Sequence, residues 1–230
     1  MDPPSEFLEF IYDEELPFML KVYDELNKLN SDLPVLYAGS AGDIEHAIFL
    51  GKNLVFFDNH LPEESVREII NKISRIGKIE SKEMMGELKK GGKFIMKFKI
   101  ADQSFHLTFY GEDATTVGIT SYPELENGIS VYFVKVPYPR EGNTQSIRYP
   151  AHFARALKLI EVGGYYLEKE CPLAFKLDIE KLGFRKIAEG EIYALSIKWG
   201  EKGNLYKKVR DVADIEKLLI EDYIAAGFDM

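Results

Sequence analysis

LPVLYAGSAGDIEHAIFLGKNLVFFD, residues 33–58, is the stretch from which the fold can be read. It divides into a short apolar strand over 35–38, a glycine-bearing turn over 39–42, a helix opened by Asp43, a stop at Gly51 and a second apolar strand ending in Asp58. That order is half of a mononucleotide-binding βαβ unit. Gly39 lets the chain leave the strand through angles closed to other residues, and the missing side chain at Gly42 lets a ligand approach the main chain. Asp43 is expected to cap the helix, its carboxylate accepting orphan backbone N–H groups of the first turn. Gly39 and Asp58 lie 19 positions apart, against the roughly 20 expected between a glycine turn and a ribose-binding acid. Because the pattern is GxxG and not GxGxxG, the same letters also fit a tight turn followed by a solvated aspartate.

Working outward, 230 residues suffice for one sizeable α/β domain with a core that needs no disulfides. The lone cysteine, Cys171, excludes an internal disulfide and any multi-cysteine metal site, and its use suits a reducing cytoplasm. No apolar run reaches the ~18 residues of a membrane span, and the N-terminal MDPPSEFLEF is acidic where a signal peptide is basic. The expectation is a soluble cytoplasmic protein. A formal charge of −9 disfavours nucleic acid as a partner, because phosphate backbones are held by many Lys and Arg contacts. The densest basic stretches, 89–99 and 202–210, are modest.

Residues 1–32 read as an acidic helical extension, with Met19, Val22, Tyr23, Leu26 and Leu29 on one face and Pro17 separating them from Phe7, Phe10 and Ile11. After Asp58, Pro62 at a first helical position, Glu63 and Glu64 behind it, and the stripe Val66, Ile69, Ile70 and Ile73 predict a helix over 63–76 closed by Gly77. Alternation over 93–100 and 104–110 predicts a hairpin whose second strand runs into Gly111, Glu112, Asp113 and Ala114. A strand over 129–136 breaks at Pro137-Tyr138-Pro139, since proline cannot donate to a sheet ladder. A helix carrying Phe153, Leu157 and Ile160 then closes at Gly163-Gly164, a strand follows over 165–167, and a helix over 173–182. Strands over 185–189 and 191–199 form an antiparallel pair linked at Glu189-Gly190, and Ile215, Leu218, Leu219 and Tyr223 mark a terminal helix.

Six landmarks in this order resemble class I S-adenosylmethionine-dependent methyltransferases. VLYAGSAGD resembles the family's first motif, LVFFD its ribose-binding acid, FYGEDA the segment facing the adenine amine, and VYFVKVPYP the strand and loop at the methyl group and acceptor. ALKLIEVGGYYL resembles its helix, glycine turn and fifth strand, and LGFRKIAEGEIYALSIKW its closing hairpin. The resemblance covers 33–199. It implies a Rossmann-like, seven-stranded, mostly parallel sheet with a terminal antiparallel hairpin and flanking helices, in one domain with helical extensions over 1–32 and 200–230.

The resemblance further implies S-adenosylmethionine as cofactor. Its amino-acid end falls to Tyr37, Gly39, Ser40, Ala41, Gly42 and Asp43, with Asp43 a partner for its ammonium. The ribose falls to Asp58 and Asn59, the adenine to Asp113 and Ala114, and a small-molecule or protein acceptor to Pro137 and Tyr138. The family usually has an acid at the position of Tyr37 and glycines at those of Ala41 and Asp43. Those departures favour an alternative, a Rossmann-like binding module without catalysis. A second alternative, a nicotinamide-dependent oxidoreductase, fits the interval from Gly39 to Asp58 but lacks a second glycine-turn half. His46, His60, His106 and His152 show no metal-ligand spacing, Cys171 reads as a buried structural thiol, and Glu168, Lys169 and Glu170 read as solvated. Methyl transfer from a sulfonium depends on alignment more than on acid or base, so no catalytic triad is expected.

Overall fold

The structure, a computed structural model, describes residues 2–29, 31–38, 42–58, 60–112, 122–134, 148–169, 178–194 and 197–225. In strand β1 (Val35–Ala38), Val35 and Tyr37 join the core on one side of the sheet and Leu36 joins the core on the other. An apolar run with both faces buried is what a central parallel strand requires. Strands β2 (Asn53–Phe57) and β6 (Ile129–Val134) flank β1 in parallel. Outside them, β5 (Gln103–Tyr110) pairs with β2 and β7 (Ile160–Lys169) with β6, again in parallel.

Two hairpins complete the sheet. β9 (Ile197–Lys208) runs antiparallel between β7 and β8 (Phe184–Ala194), while β4 (Lys93–Ile100) and β3 (Lys78–Met85) extend the opposite side. The order is β3-β4-β5-β2-β1-β6-β7-β9-β8. The chain moves from β1 out to β5, then returns to the other side of β1 as β6. Open sheets hold their ligands at such a reversal, outside the carboxyl ends of the strands.

Helices α1 (Leu16–Leu26) and α2 (Pro62–Ile76) cover one face, where Phe18, Met19, Val22, Ile69 and Ile73 pack over Tyr37, Phe56, Phe109, Phe133 and Leu167. Helices α3 (Arg148–Leu159) and α4 (Ile215–Ala225) cover the other, with Phe153, Leu157, Ile215 and Leu219 over Leu36, Val55, Tyr132 and Tyr166. Most of α1 and α2 agrees with the helical periodicity. Pro17 falls inside the first turn of α1, where its missing N–H costs nothing.

Four expectations are corrected. The sheet has nine strands and not seven, because β3 and β4 lie beyond β5. Residues 200–208 belong to β9 and not to a helical extension. Gly163 and Gly164 do not close a helix: α3 ends at Leu159, β7 starts at Ile160, and the pair lies where the β6–β7 register shifts.

Last, Glu189-Gly190 is not a turn. Gly190 pairs with Gly203 inside the long β8–β9 ladder, which continues to the pair Ala194 and Ile197; 195–196 lie outside the described residues. A Cβ on Gly190 would stand 2.4 Å from Phe18 Cβ, and one on Gly203 would stand 2.5 Å from Phe18 Cε1. The two glycines make a socket for the Phe18 ring of α1, which is why glycine occurs in mid-strand. Of the helix expected over 173–182, the part to 177 lies outside the described residues and 179–183 forms turns.

Candidate functional site

The parallel strands end together. Ala38 of β1 pairs with Phe57 of β2 on one side and Val134 of β6 on the other, so Ala38, Asp58 and Val134 stand at one edge of the sheet. Gly39, Ser40, Ala41, Asn59, Asp113, Ala114, Pro137 and Tyr138 lie outside the described residues. Tyr37, Gly42, Asp43 and Asp58 lie within them.

Asp58 stands at the end of β2, one strand from the turn. Its backbone N–H donates to the Tyr110 carbonyl at 3.1 Å, continuing the β2–β5 ladder, and its Oδ1 accepts the His60 N–H at 2.7 Å. The second bond folds the carboxylate over its own backbone, as aspartates do when they fix a turn. Beside it, Phe57 stacks on Tyr110 at 5.0 Å and meets Tyr122 edge-on at 4.7 Å. Each tyrosine hydroxyl is bound by a glutamate: Tyr110 donates to Glu124 Oε2 at 2.6 Å, and Tyr122 donates to Glu112. Burial, then the glutamate partner, pushes both phenols above their ordinary value, so they remain donors. Burial pushes the Glu124 carboxyl up, but the bonds from Tyr110 and its own backbone and the nearby Lys93 prevail and hold it below its ordinary value.

Beneath the turn lies a buried polar chain. Tyr37 is 0% exposed and sits between the rings of Phe56 (5.2 Å) and Phe133 (4.3 Å). Its hydroxyl donates to Asp43 Oδ2 at 2.6 Å. Asp43 Oδ1 lies 3.1 Å from His46 Nδ1, and His46 Nε2 lies 2.9 Å from Glu15 Oε1, just before α1. Asp43 and Glu15 are 0% exposed and His46 4%. Carboxylate oxygens only accept, so a ring nitrogen that carries a hydrogen donates it to the acid it faces. Burial, then the charges of Glu45 and Asp58, pushes the Tyr37 phenol well above its ordinary value and keeps it a donor.

This geometry corrects one expectation. Asp43 does not cap an α-helix; the segment continues as turns and a 3-10 helix over Ala47–Phe49, at whose N-terminus His46 makes no side-chain cap bond. The Tyr37 and Asp43 side chains are buried in the core, bonded to each other. Gly42 has a left-handed φ of 81° and packs on α2, where Lys72 Nζ donates to its carbonyl at 3.3 Å. Lys72 also pairs with Glu45 and Glu68, each at 2.8 Å.

On the far side of β6, Glu168 is not simply solvated. It is half-buried, and its carboxylate accepts from Tyr166 at 2.6 Å and Tyr206 at 3.2 Å. Sequence periodicity gave no signal for Glu15 and His46 as partners, 31 positions apart, or for Tyr122 with Glu112 and Tyr206 with Glu168, 10 and 38 positions apart. Among the described residues no group of three His, Cys, Asp or Glu is arranged to hold a metal. At this end of the sheet Asp58 closes β2 while Phe57, Tyr110 and Tyr122 are buried in the core.

The structure is similar to an rRNA methylase from Streptococcus thermophilus, at 12% identity and a TM-score of 0.52, covering 87% of this chain and 99% of that one. It is also similar to the N-methyltransferase NodS from Bradyrhizobium japonicum in complex with S-adenosyl-L-homocysteine, at 11% identity and a TM-score of 0.50, covering 88% and 91%. No protein-family model matches the sequence, and no curated protein matches it. The chain therefore has the Rossmann-like fold of these methyltransferases.

Proposed function

We propose that the chain is an S-adenosylmethionine-dependent methyltransferase, with the cofactor along the carboxyl ends of β1, β2 and β5 and the acceptor beyond β6. The observation that carries this is Asp58 at the end of β2, one strand from a turn whose last residue, Gly42, is pinned to α2. A carboxylate there suits a ribose hydroxyl pair, and the bond from the His60 N–H fixes its direction. The fold it shares with NodS, solved with the demethylated cofactor, supports the same reading.

When bound, the cofactor supplies an electrophilic methyl group on a sulfonium. The chain's task is alignment: Asp58 and the aromatic wall of Phe57, Tyr110 and Tyr122 orient one end, and the buried chain from Tyr37 to Glu15 keeps the turn in place at the other. The acceptor is a small molecule, a protein or RNA. The charge of −9 weighs against RNA, and the likeness to an rRNA methylase keeps it among the candidates. No helix among the described residues is long and apolar enough to cross a membrane.

Calorimetry with S-adenosylmethionine and the variant Asp58→Ala tests the reading. Binding by the parent chain with about tenfold weaker binding by the variant supports it, a loss of the order expected for a charge-assisted pair of hydrogen bonds. Equal affinity in both places the ribose elsewhere. No binding at millimolar cofactor returns the chain to the class of non-catalytic modules, and stabilisation by NAD alone in a thermal shift makes it a nicotinamide protein.

A further inference from the structure

No α-helix follows the turn that ends at Gly42: residues 43 and 44 are irregular, and only a 3-10 helix over Ala47–Phe49 precedes β2. An α-helix would tie such a segment together through main-chain bonds between positions four apart. Over 42–45 a side chain from another element makes a tie. Lys72 of α2 donates to the Gly42 carbonyl at 3.3 Å and to both carboxylate oxygens of Glu45 at 2.9 and 2.8 Å. One ammonium thus joins Gly42 to Glu45, and Glu68, one turn earlier in α2, pairs with it at 2.8 Å. Long helical side chains lean toward the helix N-terminus, which is how Lys72 reaches back past Glu68 to the turn. The Lys72 side chain is 15% exposed and that of Glu45 12%, so solvent does not loosen this pair as it does a surface one.

α2 also moulds the turn by shape. A Cβ on Gly42, whose φ is 81°, would stand 2.9 Å from Glu68 Oε2 and 3.2 Å from the Ser65 carbonyl oxygen. The same helix starts at Pro62, just beyond Asp58 and the His60 N–H that bonds its carboxylate. One helix therefore carries both the exit from Asp58 and the seat of the turn. We propose that Lys72 is a positioning residue for the amino-acid end of the cofactor, holding the turn in the shape that receives it without touching the cofactor itself. In a trans peptide the carbonyl and the following N–H point in opposite directions, so a Gly42 carbonyl held against α2 turns the Asp43 N–H away from that helix. A main-chain donor of fixed direction is what a carboxylate, such as that of the cofactor's amino-acid end, accepts from. The assignment rests on the methyltransferase reading above.

The test is calorimetry on the full chain with two ligands: S-adenosylhomocysteine, and methylthioadenosine, which keeps the adenosine and lacks the amino-acid end. Lys72→Met keeps the stem and removes the ammonium. It should weaken S-adenosylhomocysteine about tenfold and methylthioadenosine by less than about twofold, whereas Asp58→Ala weakens both. Lys72→Arg still donates to a carbonyl and a carboxylate, and should return S-adenosylhomocysteine to within about threefold of the parent. Should Lys72→Met fail to fold, Glu45→Gln, which loosens one arm of the tie, decides by a loss of about threefold confined to S-adenosylhomocysteine. Equal losses for the two ligands assign Lys72 to the stability of the fold alone and overturn the proposal. Unchanged affinity for S-adenosylhomocysteine overturns it as well, as does an arginine variant as weak as the methionine one. A parent chain that binds S-adenosylhomocysteine but not methylthioadenosine refutes the division of the site into two separately held ends, and the proposal with it. A parent chain that does not bind S-adenosylhomocysteine overturns the methyltransferase reading itself.

Discussion

Replacing His46 by Phe keeps a ring of similar size beside Phe133, 6.3 Å away, but removes both nitrogens that face Glu15 and Asp43 at 2.9 and 3.1 Å. Both carboxylates are 0% exposed, so neither turns to water when its partner goes. Breaking a buried charged pair by deleting one member costs about 3–5 kcal/mol, because the remaining charge is stranded in a poorly polarisable interior. Here Asp43 keeps the Tyr37 hydroxyl and Glu15 keeps the Tyr12 N–H at 3.2 Å, so the lower end applies, against a total stability of about 5–15 kcal/mol for a domain. Urea denaturation followed by circular dichroism reads this as a lower midpoint with an unchanged slope.

Two further variants separate charge from packing. Glu15→Gln and Asp43→Asn, combined with His46→Phe, remove the two buried carboxylate charges while keeping shape. The triple variant should regain about half or more of the loss, since replacing a whole buried ionic group is often close to neutral. A loss below about 1 kcal/mol in His46→Phe, or a triple variant no better than the single, refutes the view that this chain is an ionic support for the turn.

Three other outcomes follow from the packing. The phenols of Tyr37, Tyr110, Tyr122 and Tyr132 are pushed above their ordinary value and that of Tyr165 up to about 12, burial being the largest cause in each. With folded values above the unfolded value of 10.0, stability is fully present below about pH 10 and is lost as pH rises through the folded values, by about 1.4 kcal/mol per pH unit for each such tyrosine. Tyrosinate absorbance should therefore develop together with loss of circular dichroism; these phenols ionising in a folded chain would contradict the burial. Gly203→Ala should cost about 1–3 kcal/mol by overpacking against the Phe18 ring, and Phe18→Leu should relieve part of that cost in a double-mutant cycle, additivity being the contrary result. Lys208 is 3% exposed and donates to the carbonyls of Leu157, Lys158 and Ile160 at 3.3, 3.2 and 2.6 Å, capping α3; Lys208→Met should cost about 2 kcal/mol in thermal unfolding, and an unchanged Tm would deny the cap.

What the sequence disclosed depended on whether the controlling contact was local. The helix α2 was legible because Pro62, Glu63, Glu64 and an apolar stripe all act within a few turns of one another. The β4–β5 hairpin was legible because alternate residues, Phe94, Met96, Phe98 and Ile100 against Phe105, Leu107 and Phe109, are buried. β3 has no such pattern: as an outer strand almost wholly exposed, KIESKEMM carries Lys78, Glu80, Lys82 and Glu83, charges that protect an edge and leave no period to read. Gly190 resembled a turn because its true reason, the Phe18 ring, lies far away in the chain. Asp43 resembled a helix cap because a carboxylate after a glycine turn usually is one, and the competing partners, Tyr37 and the His46–Glu15 pair, are set by tertiary packing.

The β3–β4 pair, of which the sequence showed only β4, reaches the edge at which the parallel strands end. Because β4 runs antiparallel to β5, Lys93 at its start pairs with Tyr110 at the end of β5, so the link from β3 to β4 lies on the same edge as Asp58. That link carries Leu88, buried at 1%, and Lys89, which lies 3.5 Å from Glu63 in the first turn of α2. The Gly111 N–H donates to the Gly92 carbonyl at 3.1 Å, tying the exit of β5 to the same link. Lys93 stands 3.6 Å from Glu124, the acceptor of the Tyr110 hydroxyl, and 5.9 Å above the Tyr110 ring, which stacks on Phe57 one residue before Asp58. A pair of strands added only to bury an edge has no need of a lysine at this point. Here that lysine balances the glutamate that orients Tyr110, so the wall beside Asp58 is built in part by the added strands, and the site and the extension of the sheet form one structure.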